Sequence, residues 1–170
     1  IYIPRPLQMF ILRDPKTRKI NKSAFRDRIV HHAVCIMIEP LFEKRFIFDS
    51  YANRIGKGVL KAIGQYELFA RKVSHNFTQQ GYVFKADIRK YFETVNHKVL
   101  IEILHKRIND PRVMWLIKVI LKNYCSKDSE TGMPLGNLTS QFFANVYLNE
   151  LDQFVKHKLR PKYYIRYVDD

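Results

Sequence analysis

The stretch Tyr163-Tyr164-Ile165-Arg166-Tyr167-Val168-Asp169-Asp170 decides how the rest of the chain is read. An apolar, aromatic run ends in two adjacent carboxylates. In a strand, neighbouring side chains point to opposite faces. Both aspartates can therefore serve one site only if the strand stops and turns at them. A turned Asp-Asp pair at a strand end presents carboxylate oxygens to a hard divalent cation such as Mg2+. Read alone, the pair is as simply explained as two acids closing an exposed hairpin, so the other carboxylates have to decide.

One of them is Asp87. Tyr82-Val83-Phe84-Lys85-Ala86-Asp87-Ile88 has aromatic and β-branched residues leading to a lone acid, and it reads as the second strand of the set. If the two strands are neighbours, Asp87 and Asp169 meet. Carboxylates that close repel each other, which favours a site occupied by cations. Two metal ions about 3.5–4 Å apart can activate an attacking hydroxyl and stabilise the leaving oxygen of a phosphoryl displacement.

The composition agrees with a phosphate-rich partner. Thirty Lys and Arg against 16 Asp and Glu give a formal charge of +14 on 170 residues, the electrostatic footprint of a polyanion binder. A hydrophobic content of 46%, with 12 Phe and 10 Tyr, excludes a disordered chain. No apolar run approaches the roughly 20 residues of a membrane span, and no secretory pattern opens the sequence. Cys35 and Cys125 stand far apart without metal spacing; both read as reduced core thiols.

Taken in order, the chain opens extended, because each proline of Ile3-Pro4-Arg5-Pro6 disfavours helix in the residue before it. Phe10-Ile11-Leu12 predicts a short strand. A turn carrying Lys16, Arg18 and Lys19 follows, a basic hairpin suited to phosphate and equally readable as a solvated loop. Phe25, Ile29, Ala33, Ile36 and Met37 predict a helix with Ser23 as N-cap, ending before Pro40. Further helices are predicted over 59–73, 98–108, 111–124 and 140–159. In these, Trp115 is assigned to the core, Thr139 to an N-cap, and Phe143, Tyr147, Leu151 and Phe154 to one apolar stripe. The stretch 126–140, with Gly132, Pro134 and Gly136, predicts a loop. This order of helices, strand, helices, strand implies an α+β domain with a small sheet backed by helices.

Several boxes now stand in a recognisable order. Phe84-Lys85-Ala86-Asp87-Ile88-Arg89-Lys90-Tyr91-Phe92, Thr94-Val95-Asn96-His97 and Tyr167-Val168-Asp169-Asp170 resemble the catalytic boxes of reverse transcriptases of bacterial retroelements. Asp27-Arg28-Ile29-Val30, Glu39-Pro40-Leu41-Phe42-Glu43 and Ser50-Tyr51-Ala52-Asn53-Arg54 resemble the finger motifs of group II intron-type enzymes. The resemblance covers nearly the whole chain. It departs at Leu135-Gly136-Asn137-Leu138-Thr139-Ser140-Gln141, where those enzymes read Gln-Gly-x-x-x-Ser-Pro. Leu for Gln and Gln for Pro is similar to the reverse transcriptases of diversity-generating retroelements, which copy a template-repeat RNA with errors opposite adenine. Leu135 cannot donate the hydrogen bonds with which a glutamine would hold the incoming nucleotide, so selection there would loosen.

The resemblance implies a right-hand polymerase fold, with fingers over 1–80 and an antiparallel palm sheet backed by helices over 81–170. The thumb is expected outside this chain, so the 170-residue piece alone is expected to be inactive. It implies an RNA-directed DNA polymerase that uses two Mg2+ ions and acts in a bacterial or phage-encoded cytoplasmic setting. The expected partners are template RNA, a DNA or RNA primer, dNTPs and a basic accessory protein of the retroelement. By position, Asp87, Asp169 and Asp170 would be the catalytic, metal-binding acids. Phe92, five residues after Asp87, would be the gate against a ribose 2′-hydroxyl, or else a buried palm aromatic. Lys16 and Arg18 would hold the triphosphate, and Leu135 and Gly136 would line the nucleotide. Arg28, Arg54 and Gln141 would touch nucleic acid, although Arg28 reads equally as an ion-pair donor and Arg54 as part of the finger core. Asn96 and His97 would be structural. A group II intron, retron or defence-type enzyme, and a non-catalytic RNA-binding relic, are the competing readings.

Overall fold

The computed structural model describes residues 1–13, 16–124 and 130–170. Strands β1 (Gln8–Arg13) and β2 (Thr17–Lys22) pair antiparallel, Phe10 opposite Ile20 and Leu12 opposite Arg18. Asp14 and Pro15 of the predicted basic turn lie outside the described residues, as do Cys125 and the stretch 126–129 of the predicted loop. Among the described residues the helices are α1 (Phe25–Glu43), α2 (Val59–Val73), α3 (Tyr91–Thr94), α4 (His97–His105), α5 (Pro111–Lys122) and α6 (Leu138–Phe154). A π-helical turn, Val155–Leu159, continues α6. None of them is long and apolar enough to cross a membrane.

The chain divides into two compact units. The first, Ile1–Arg45 with Lys90–Tyr147, holds the hairpin, α1, α3, α4, α5 and most of α6. Leu100 and Leu104 of α4, Ile117 of α5 and Phe143 of α6 are fully buried there, and Phe42 meets Phe142 edge to face at 5.8 Å. The second unit, Phe46–Arg89 with Leu148–Asp170, holds α2 and the end of α6. Its interior is built from Tyr51, Ala52, Ala62 and Leu148, with Phe69 against Tyr163 at 4.7 Å.

Pro40 does not end α1, contrary to expectation. The helix runs on to Glu43 with Pro40 inside its last turn. An interior proline costs about 3 kcal/mol through its missing amide and its clash with the carbonyl four residues back. Here Ile36 is exposed, so water can reach that carbonyl, and burying Phe42 against Phe142 holds the final turn. The predicted α1 stripe also faces outward. Phe25, Ile29, Ile36 and Met37 are exposed, while Asp27, His31, Val34, Cys35, Ile38 and Phe42 are buried. Cys35 is a free buried thiol, as expected, and burial pushes its pKa up to about 12.

Three smaller expectations change as well. Ser23 does not cap α1: Ala24 stands at the cap, and the Ser23 hydroxyl donates to Asn137 Oδ1 at 2.6 Å instead. Helix α6 starts at Leu138, so Thr139 lies within its first turn. Trp115 is 46% exposed, because α5 buries Met114, Ile117, Ile120 and Leu121 on its other side; Leu151 and Phe154 at the end of the α6 stripe are exposed too.

The two predicted carboxylate strands do not form a sheet among the described residues. Residues 81–88 carry no regular secondary structure and no ladder, with 81–87 exposed and Ile88 half-buried, and Arg166 makes an isolated parallel bridge to Ser50. Aromatic and β-branched composition favours extended backbone, but a strand also needs a partner's amides and carbonyls along its length. Across these segments the Ile88 amide donates to the Asp169 carbonyl at 3.2 Å. The antiparallel sheet of this α+β chain is the basic hairpin.

Candidate active site

The three predicted acids all belong to the second unit. Tyr167 to Asp170 form a tight turn, closed by the Tyr167 amide on the Asp170 carbonyl at 3.0 Å and the Asp170 amide on the Tyr167 carbonyl at 3.2 Å. Val168 sits in this turn at φ +57°, a left-handed conformation that a β-branched residue rarely adopts and that costs about 1–3 kcal/mol. The Ile88 bond to Asp169 lays the backbone of the Asp87 box beside this turn. Asp87 and Asp170 are exposed and Asp169 is half-buried. The Lys85 ammonium stands 3.2 Å from Asp170 Oδ1.

Hard carboxylate oxygens are the donor type that Mg2+ takes. No group of three or more His, Cys, Asp or Glu among the described residues is gathered closely enough to cage an ion. Mg2+ in phosphate chemistry is commonly held by one or two carboxylates and completed by substrate phosphates and water. The donor set fits in kind, and the Ile88–Asp169 bond joins the backbones next to Asp87 and at Asp169.

A buried ion pair absent from the sequence reading supports the turn. Asp152, near the end of α6, is fully buried and takes a bidentate fork from Arg166, Nε at 2.9 Å to Oδ1 and Nη2 at 2.8 Å to Oδ2. Arg166 Nη2 also reaches Ser50 Oγ at 3.1 Å, and Nη1 donates to the Val168 carbonyl at 2.7 Å. The Arg166 backbone is tied at both ends, its amide to the Asp49 carbonyl and its carbonyl to the Tyr51 amide. Tyr164 donates its hydroxyl to Asp152 Oδ1 at 2.8 Å; burial, and then the Asp152 charge, raise its pKa so that it stays a donor. The available signal was an arginine inside an aromatic run and an acid inside an apolar helix. Neither names its partner.

The remaining candidates fall mainly in the first unit. Lys16 and Arg18 are exposed on the hairpin. Strand β2 is docked on the loop before α6, where the Asn21 amide donates to the Leu135 carbonyl at 3.0 Å. Gly136 has φ +102°, and a Cβ there would lie 2.6 Å from Ile20 Cγ2, so only glycine lets the two segments approach. Asn137, also missed in the sequence, locks them: Oδ1 accepts from Ser23, and Nδ2 donates to the Asn21 carbonyl at 2.8 Å. Hairpin cations and the Leu135–Gly136 loop are thus held as one assembly.

Phe92 is half-buried, its ring 5.3 Å from that of Tyr91, and its carbonyl accepts the Met133 amide at 2.6 Å. Gln141 is half-buried in the first full turn of α6. Arg28 lies over the Phe25 ring at 5.4 Å, and its Nε is buried with no partner among the described residues. In the second unit, Arg54 donates to the Ile47 and Ser50 carbonyls at 2.7 and 2.8 Å and stacks over Phe46. Asn96 and His97 are structural. Asn96 caps α4 by accepting the Val99 amide at 3.1 Å, and His97 Nε2 donates to the Gly132 carbonyl at 2.6 Å.

The second unit thus carries a carboxylate turn, and the first a basic hairpin held against the Leu135–Gly136 loop. The chain belongs to the reverse transcriptase (RNA-dependent DNA polymerase) family, whose model matches residues 13–170. It is 31% identical over 163 residues to protein YkfC of Escherichia coli, covering 93% of this chain and 40% of that protein. It is 28% identical over 162 residues to the group II intron-encoded protein LtrA of Lactococcus lactis, covering 91% of this chain and 26% of LtrA. A third relative is nuclear intron maturase 1 of Arabidopsis thaliana, 31% identical over 110 residues, or 63% of this chain and 14% of the maturase. The chain thus spans less than half the length of these relatives.

Proposed function

We propose that this chain is the fingers and palm of an RNA-directed DNA polymerase, with fingers over 1–80 and palm over 81–170. The observation that carries the reading is the backbone bond from Ile88 to Asp169, which lays the two carboxylate boxes side by side in a chain of this family. Asp87 and Asp169 would hold Mg2+, with Asp170 as a third acid nearby. When bound, such ions supply charge stabilisation to an in-line phosphoryl displacement.

The chain's own residues do the rest. The primer 3′-hydroxyl attacks the α-phosphate of a dNTP on an RNA template, and pyrophosphate leaves. Lys16 and Arg18 hold the triphosphate, Arg18 on the strand docked against Leu135. Leu135 and Gly136 line the nucleotide, and Phe92 excludes a ribose 2′-hydroxyl. Arg28 and Gln141 meet nucleic acid. Arg54, with two carbonyls and a ring already engaged, serves the finger core as much as the template. A cytoplasmic setting and a basic accessory protein belong to the same reading.

Within this class, the Leu135 and Gln141 departures support a diversity-generating element. The similarity to intron-encoded and maturase proteins supports a group II intron-type enzyme. Primer extension on an RNA template by the full-length protein tests the class: absence of Mg2+-dependent dNTP incorporation removes it. Sequencing the cDNA tests the subtype, since faithful copying opposite template adenines removes the diversity-generating assignment.

A further inference from the structure

We infer that Asp152 is a positioning residue for the carboxylate turn, acting through Arg166 on the backbone that carries Asp169. The inference rests on the polymerase reading above and names residues that no part of that reading uses.

A buried ion pair is not explained by stability alone, because removing two charges from water can cost more than their attraction returns. What such a pair adds is direction. A guanidinium is a planar fork with donors at fixed angles. Asp152 takes Nε and Nη2 with both oxygens, at 2.9 and 2.8 Å. That fixes the plane of the fork and leaves Nη1 aimed at the Val168 carbonyl, 2.7 Å away. The Val168 carbonyl belongs to the peptide that leads into Asp169. Held there, the peptide keeps Val168 at φ +57°, a conformation that persists only when its surroundings impose it. Tyr164 and Ser50 complete the device by ordering Asp152 and the far side of the guanidinium. Without the Asp152 charge the fork can rotate, the carbonyl is released, and the Asp169 carboxylate loses its fixed place beside the Asp87 box.

The test compares the full-length wild-type protein with Asp152→Asn, Arg166→Lys and Tyr164→Phe, each checked for its melting temperature. Two readouts are taken: Mn2+ affinity by electron paramagnetic resonance, and the Mg2+ dependence of single-nucleotide primer extension. Asp152→Asn and Arg166→Lys are expected to weaken Mn2+ binding and raise the half-saturating Mg2+ by about 10- to 100-fold. Primer–template affinity should stay within about twofold of wild type, a split that general loss of fold would not produce. Tyr164→Phe, which removes one neutral hydrogen bond, should shift both readouts the same way by a smaller factor. If Asp152→Asn does not fold, Arg166→Lys and Tyr164→Phe carry the test. Folded variants with wild-type Mn2+ affinity and wild-type Mg2+ dependence overturn the inference. A wild-type protein that binds Mn2+ at these acids but extends no primer overturns the polymerase reading instead, and leaves the Mn2+ comparison to judge Asp152.

Discussion

Asp27 shows how one buried carboxylate can tie the segment before the hairpin to a helix. It is fully buried on α1 and accepts the Tyr2 hydroxyl and the Arg5 amide, both at 2.9 Å, and Arg26 at 3.2 Å. Burial alone would raise its pKa, but these donors outweigh it and hold the carboxyl below its usual range. A carboxyl lowered on folding stabilises fully above its unfolded pKa of about 3.9, and that stability is lost as pH falls through the folded value. His31, also buried, is held below its usual pKa chiefly by burial. Its unfolded form takes up a proton first, so stability begins to fall below about pH 6.5. Urea unfolding at pH 7, 5 and 3 should show both losses. Asp27→Asn should start about 1–3 kcal/mol lower at pH 7 and lose less than wild type below pH 4. A parallel pH profile would contradict this. Single residues were legible where the role is local: Asn96 reads as structural beside the helix that follows it, and it caps that helix. Asp152, Arg166 and Asn137 were not, because each takes its meaning from a partner on another element.

At the scale of elements, the helices and the basic hairpin were readable, and the two carboxylate strands were not. A helix closes its hydrogen bonds within itself, so α2, α4 and α5 follow from local spacing and punctuation. The segments 82–88 and 163–168 carry strand composition but depend on partners that composition cannot specify. Which face of α1 is buried was misread for a related reason: the interior accepts Asp27 and His31 because Tyr2, Arg5 and Arg26 satisfy the acid, and apolar count does not register that. Proline is the sharpest case. The packing of Phe42 overrides Pro40, so Pro40→Ala should restore an amide donor to the last turn of α1. We expect stabilisation of about 1–3 kcal/mol in urea unfolding; unchanged or lower stability would mean that the proline belongs to the turn's preferred geometry.

For the whole molecule, the governing quantity is charge. If the chain binds template RNA as proposed, a formal +14 on 170 residues implies binding driven largely by release of counterions from phosphate. Affinity of the full-length protein for an RNA template–primer should therefore fall about 100-fold or more between 50 and 200 mM KCl. Salt-independent binding would contradict a phosphate-led interface. The central claim is narrower, that the Asp87 and Asp169 boxes form one catalytic site. The most direct measurement is the single-turnover rate of dNTP addition on an RNA template by the full-length protein, with Asp87→Ala and Asp169→Ala beside wild type. Both variants should bind the template–primer like wild type yet lose at least about 1,000-fold in rate, the scale of several kcal/mol of lost transition-state stabilisation. Wild-type rates in either variant would contradict the account.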